Sequence, residues 1–377
     1  MMLGICGVNT FSKMIKIQFN MLFFKKITFF SIACFLFSCS DKEDCCVQPN
    51  PDPLEVRAVD ASFLPEVRTS GVAVQNASGQ SEDMLTTLKN AGVNTIRIRL
   101  WNNPATPTSG LAQVKAFAAD VKSKGMKVWL CIHYSDTWAD PGHQAKPAAW
   151  TGIGFEALKD SVYQFTQKAA AEIQPEYVQI GNEINGGLLW PEGSISNLQQ
   201  MKDLLAEGIK AVRDHSPFSQ IMIHYAGHQD AMMFYNQLGN LDYDIIALSY
   251  YPFWHGKNFF QLEHNMTQLG NTFNKNVLIA ETAYPFTLNW NDQTNNVIGL
   301  ANQIHPEYPA SAEGQKNFLL KLREVVVSSS KGAGFCYWGA EWVAFKGNAA
   351  TDGSSWENMA LWDFNLRALP AMEAFQQ

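Results

Sequence analysis

Charge is what this sequence has little of. Asp, Glu, Lys and Arg make up 17% of 377 residues, against about a quarter in ordinary soluble domains. The 28 Lys and Arg are scattered along the chain and outnumbered by 35 Asp and Glu, for a net charge of −7. A nucleic-acid binder would gather its cations on one face or stripe, so nucleic acid is excluded as a partner. No Gly-rich phosphate loop follows the first apolar run, and no Cys/His spacing suits a metal. Seven cysteines are present, but they do not form a disulfide set. Cys6 and Cys34 fall in a removable leader, and Cys45 and Cys46 in the polar stretch "DKEDCCVQPNPDP". Cys131 and Cys336 sit in apolar runs, where a free thiol packs as a small hydrophobe. We expect no structural disulfide in the folded domain.

Membrane-length apolar runs are scarce too. Ile27 to Phe37 follows Lys25 and Lys26; it is short for a membrane span and has the proportions of a signal peptide. It ends in "LFSC", which resembles a bacterial lipobox with Cys39 as the lipidated residue. The expected division is a signal peptide over 1–38 (with Met21 a more natural start than Met1), a lipidated Cys and tether over 39–54, and a folded domain over 55–377. This predicts an exported monomer, lipid-anchored at the bacterial outer membrane and facing the cell surface.

What the chain does have is aromatic surface and a repeating pattern. Its 11 Trp, 11 Tyr and 24 Phe suit a core, and also a ligand with flat, half-apolar faces such as a sugar ring. Eight apolar runs, at 56–62, 94–101, 127–134, 177–183, 220–227, 244–251, 276–284 and 332–338, alternate with helix-length segments. Examples are "SEDMLTTLKNAG", opened by a Ser cap and closed by Gly92, and "GLAQVKAFAADVKSKG", closed by Gly125. Such alternation predicts a parallel sheet, and eight repeats predict a single closed (β/α)₈ TIM barrel of the α/β class. An open doubly wound sheet is the alternative, disfavoured by the missing phosphate loop.

In such barrels the chemistry lies at the C-terminal ends of the strands. Here the runs end in Arg97, Arg99 and Trp101, then His133, then Asn182 and Glu183, His224, Tyr251, Glu281 and Trp338. Two carboxylates from runs four and seven at one mouth suggest glycoside hydrolysis; singly, either is as well explained by a salt bridge to Arg97 or Arg99. Glu183, before the Gly-rich "INGGLLWP", suits the acid/base, with Asn182 beside it reaching a sugar hydroxyl. Arg97 and Arg99 share one strand face and are expected to keep Glu281 ionised as the nucleophile, with Tyr251 donating to it. His133 and His224 are donors for hydroxyls or satisfied core histidines.

The stretches "IRIRLWNNP", "HYSDTWADPGHQ", "GNEINGGLLWP", "YYPF", "ETAYP" and "WENMALWDF" together resemble the endo-β-1,4-galactanases of glycoside hydrolase family 53, in order from residue 56 to 377. The resemblance implies a retaining two-glutamate hydrolysis of β-1,4-galactosidic bonds in pectic galactan (type I arabinogalactan), with acid/base Glu183 and nucleophile Glu281. It also implies substrate contacts from Asn182, Arg97, His133, Tyr251 and Trp338, and stacking by Trp101, Trp138 or Trp190; Arg99, Asp136 and His224 are expected as further substrate contacts. No cofactor is required. A structural calcium occurs in some members, but here the strand-seven loop "FTLNWNDQTNN" offers only Asp292 and amides, poor ligands for a hard cation. "YWGAEWVAF" also departs from the usual Glu-Pro after the strand-eight Trp. The alternatives are another retaining endo-β-glycanase, mannanase- or xylanase-like, and a non-catalytic surface glycan-binding lipoprotein.

Overall fold

The computed structural model describes residues 54–376. The leader and lipid-anchor expectations lie outside the described residues. The eight apolar runs become β1 (Val56–Asp60), β2 (Thr95–Leu100), β3 (Lys127–Ile132), β4 (Tyr177–Ile180), β5 (Gln220–Ala226), β6 (Ile245–Ser249), β7 (Asn276–Thr282) and β8 (Gly332–Tyr337). All pair in parallel with their sequence neighbours, and β8 returns to β1, closing the barrel. Between and after them run α1 (Leu64–Thr69), α2 (Met84–Asn90), α3 (Leu111–Ser123), α4 (Phe155–Ile173), α5 (Leu198–His215), α6 (Ala231–Leu238), α7 (Pro252–His255), α8 (Phe259–Phe273) and α9 (Ala312–Ser328). Among the described residues no helix is long and apolar enough to cross a membrane. Cys131 and Cys336 are buried free thiols on β3 and β8.

Local chemistry accounts for the helix ends, with one correction. Asp83, not Ser81, caps α2 by accepting the Thr86 N–H; Ser81 instead pairs with Gln75 in an isolated bridge. Gly92 follows with φ +103°, and a Cβ there would meet the Phe375 carbonyl oxygen at 2.2 Å. That position admits only glycine.

The barrel interior changes character along its axis. Apolar side chains from alternate strand positions, including Val56, Trp129, Tyr177, Met222, Ile245 and Leu278, form a buried cluster. Two residues further along the same strand faces on β3, β4 and β5, and four on β1 and β6, the interior turns polar, with Cys131, Gln179, His224, Asp60 and Ser249. On β7 the alternation breaks. Leu278 and Ala280 face inward, so simple alternation would turn Glu281 out towards the helices. The register against β6 skips from Leu248↔Ile279 to Ser249↔Glu281. This bulge re-aims Glu281 into the barrel mouth, as bulges beside functional sites do.

Candidate active site

A cleft of about 780 Å³ opens at the C-terminal ends of the strands, within the usual size of a ligand site. Glu183 and Glu281 both line it, with Asp60, Arg97, Arg99, His133, Asn182, Tyr251, Trp138 and Trp338.

Arg97 organises its floor. Nη1 donates to Asp60 Oδ2 at 2.8 Å, Nε to Gln179 Oε1 at 3.1 Å, and Nη2 to Asn182 Oδ1 at 2.8 Å and Glu281 Oε1 at 2.7 Å. The guanidinium is buried and satisfied, as a charge removed from water must be. Tyr251 donates its hydroxyl to Glu281 Oε2 at 3.1 Å, so both oxygens of this carboxylate are held. Burial raises the Glu281 carboxyl, and the Arg97 ion pair and Tyr251 oppose that rise.

Among the described residues no cation is bonded to Glu183. It follows Gly181 (φ +78°) and has φ +47° itself, a left-handed conformation that costs a non-glycine residue energy and is found chiefly where function demands it. The surrounding loop holds it there: Gln144 Nε2 donates to the Asn182 carbonyl at 2.8 Å, and Asn185 exchanges two hydrogen bonds with the Ala226 backbone. The side chain is half-buried, and Oε1 accepts from Ser249 Oγ at 2.5 Å. Burial and then the nearby Glu281 charge push its carboxyl up to about 8. Near neutral pH Glu183 carries a proton while Glu281 sits on Arg97. Two carboxyls with environments this different are what acid and nucleophile need.

The other expected residues divide. His133 accepts the Ala139 N–H at Nδ1, 3.0 Å, leaving its Nε2–H for the cleft, and burial beside the arginines holds it well below its usual value, hence neutral. Asn182 is locked by Arg97, Gln179 and the Ala139 carbonyl. Arg99 does not reach Glu281, contrary to expectation. It donates to Ser109 Oγ, and its guanidinium lies 4.0 Å from the Trp138 ring and 4.5 Å from Trp101. Burial without an ion pair lowers it to about 10. Trp101, Asp136, Trp190 and His224 lie outside the cleft lining. Trp101 backs Trp138 edge-on, Asp136 accepts the Asn103 and Ala148 N–H groups, Trp190 donates to the Gly186 carbonyl, and His224 is wholly buried.

Sequence reasoning passed over Asp60, Asp140, Trp254, His255, Trp342 and Trp356, all in the lining. Asp60 ends the first run and obeys the same strand-end rule; Trp342 and Trp356 come from loops, and Trp254 from the single-turn α7, whose courses no periodicity predicts.

Among the described residues no group of three or more His, Cys, Asp or Glu is placed to hold a metal ion. Asp292 is already used: Oδ1 accepts the Thr294 N–H at 2.6 Å and Oδ2 the Ser354 N–H at 2.9 Å. Glu357 likewise accepts the Asn291 and Asp292 N–H groups. In the strand-seven loop the Asp292 oxygens are turned to backbone amides, as are those of Glu357 after β8.

A glutamate held by an arginine and a tyrosine, and a second raised to about 8 beside it, at the mouth of a (β/α)₈ barrel in a tryptophan-walled cleft, place this chain among the barrel glycoside hydrolases. More narrowly, it belongs to glycosyl hydrolase family 53, whose model matches residues 56–375. It is 36% identical over 338 residues to an arabinogalactan endo-β-1,4-galactanase of Cellvibrio japonicus, covering 84% of this chain and 89% of that one. Among solved structures it is similar to the family 53 catalytic domain of Ignisphaera aggregans (TM-score 0.82, 38% identity, 87% of this chain and 97% of that one). It is also similar to a fungal β-1,4-galactanase (TM-score 0.75, 31% identity, 86% and 99%).

Proposed function

We propose that this glycoside hydrolase cleaves internal β-1,4-galactosidic bonds of pectic galactan with retention of configuration. Glu281 is the nucleophile and Glu183 the acid/base. The observation that carries the reading is the asymmetry of the pair: Glu281 bonded to Arg97 and Tyr251, Glu183 raised to about 8 with no cation bonded to it among the described residues.

Glu183 gives its proton to the glycosidic oxygen as the C1–O bond breaks, and Glu281 closes on C1 to form a glycosyl-enzyme. Water then attacks C1 from the vacated side, losing its proton to Glu183, and Glu281 is released. Tyr251 and Arg97 steady the charge on Glu281 when it is free. Asn182 and the Nε2–H of His133 face the hydroxyls of the sugar at the reacting centre. No step uses a cofactor. The lipobox-like Cys39 supports anchoring of a monomer to the bacterial outer membrane, with the cleft open to polysaccharide outside the cell.

The test is reducing-sugar release by protein lacking residues 1–39 from a panel of plant polysaccharides. Galactan should be degraded and mannan and xylan left intact. Glu183→Gln and Glu281→Gln should each lower the rate by roughly 10²-fold or more, since each keeps the shape but removes proton transfer or nucleophilicity. Either variant retaining more than about a tenth of the parent rate would overturn its assignment.

A further inference from the structure

Two polar side chains outside the cleft lining are joined to Glu183 in a line. His224 on β5 and Ser249 on β6 are both wholly buried. His224 Nε2 lies 2.9 Å from Ser249 Oγ, which lies 2.5 Å from Glu183 Oε1. The direction of this line follows from its far end. His224 Nδ1 faces the backbone N–H of Glu183 at 3.3 Å, which can only donate. It also faces Gln179 Nε2 at 3.0 Å, whose amide is oriented because its oxygen accepts from Arg97 Nε. Asn182 Oδ1, 3.1 Å from Nδ1, already receives Arg97 Nη2 and Gln179 Nε2 and needs no third donor. A proton on Nδ1 would oppose the Glu183 N–H, so Nδ1 accepts and Nε2 carries the hydrogen. Nε2–H therefore donates to Ser249 Oγ, and the Ser249 hydroxyl is left to donate to Glu183 Oε1.

We propose that Ser249 and His224 are positioning residues that divide the two oxygens of Glu183: Oε1 is a permanent acceptor, and Oε2 alone carries the transferred proton. This rests on the acid/base reading of Glu183. Oε2 accepts no hydrogen bond from the described residues, and it is the oxygen left for the glycosidic bond. When Oε2 gives its proton to the departing oxygen, and again when it takes one from the attacking water, the hydrogens on Ser249 and His224 stay where they are. The carboxyl does not rotate or exchange its proton between oxygens during the cycle. The other groups facing Glu183 are Glu281 from β7, Arg97 from β2, Asp140 from the loop after β3 and Tyr251 after β6. Arg97, His133 and His255 face His224. None of them donates to Oε1.

The readout is the dependence on leaving group, which a merely structural role would not move. kcat/KM is measured across a pH series for aryl β-1,4-galactobiosides bearing a poor (methoxyphenyl) and an activated (dinitrophenyl) leaving group. Ser249→Ala should lower kcat/KM roughly 10- to 100-fold for the poor leaving group and by less than about threefold for the activated one, because only the former needs a well-aimed proton. The basic limb should move to higher pH, since a hydrogen bond favouring the carboxylate is gone. Ser249→Thr, which restores the hydroxyl, should recover most of the loss. Should the alanine variant not fold, Ser249→Cys keeps the volume but donates weakly and reads the same selectivity. Equal losses on both substrates, or none, would overturn the proposal. Glu183→Ala run alongside separates the two ideas. If it discriminates between leaving groups and Ser249→Ala does not, only the positioning role fails; if it does not discriminate, the acid/base assignment fails first.

Discussion

At the scale of single residues, the contrast between Arg97 and Arg99 is the most instructive. Both lie on one face of β2, and alternation alone makes them equivalent. They are two positions apart, however, and two positions along a strand are about 6.6 Å. Arg97 therefore lies on the barrel floor between Asp60 and Glu281, whereas Arg99 emerges among Phe63, Trp101 and Trp138. Depth along the barrel axis is invisible in a sequence pattern, because the opposing strands set it. Removing the Arg97 cation, as in Arg97→Met, leaves two buried carboxylates facing each other. It should destabilise the fold by about 3–5 kcal/mol, the usual cost of breaking a buried ion pair from one side, measurable by urea unfolding. The roles of the two glutamates separate in a chemical rescue. With a dinitrophenyl galactobioside, Glu183→Ala should still form the glycosyl-enzyme, and added azide should accelerate turnover and yield the β-galactosyl azide. The α-azide would instead identify Glu183 as the nucleophile.

At the scale of elements, the strands were legible because a fully buried parallel strand must be apolar along its length, and all eight expected runs contain the observed ones. Three local events were not. The α2 cap lies at Asp83 rather than Ser81, because Ser81 is drawn into a bridge with Gln75. The β7 bulge that turns Glu281 inward has no signature in "NVLIAETAY". The pairing of the strand-seven loop with the segment after β8 joins residues more than sixty positions apart. That pairing makes its own prediction. Asp292 and Glu357 hold the two segments by accepting backbone N–H groups, and such charged acceptors contribute about 1.5–3 kcal/mol per bond. Asp292→Ala should therefore lower stability by about 2–4 kcal/mol, while a chelator leaves the parent's thermal midpoint unmoved. A midpoint that falls on chelation would show that a cation, and not the amides alone, steadies these loops.

At the scale of the whole molecule, buried ionisable groups set how the barrel responds to pH. Glu183 and Glu341 are both pushed up to about 8, each chiefly by burial, then Glu183 by Glu281 and Glu341 by Asp60. Unfolded, both would titrate near 4.5. Between about 4.5 and about 8 the folded protein holds protons that the unfolded chain has released, so stability falls as pH rises through that window and levels off above it. The buried histidines act in the other direction. His133 and His224 are held well below 6.5 and His255 at about 4, so below 6.5 the unfolded chain takes up protons that the folded state refuses. The two effects oppose each other between about 4.5 and 6.5, and above 6.5 only the carboxyl effect remains. The thermal midpoint should therefore decline from about pH 6.5 to about pH 8 and then flatten. Glu341→Gln isolates one contributor outside the catalytic pair. Its oxygen can still accept the Phe63 N–H that Glu341 Oε1 accepts at 2.7 Å, but it has no proton to hold. Its midpoint should match the parent near pH 5 and exceed it near pH 8, by a gap that opens across the window in which the unfolded glutamate is ionised and the folded one is not. A gap of constant size at both pH values would mean that Glu341 is already ionised in the folded barrel, with Arg99 as its counter-charge.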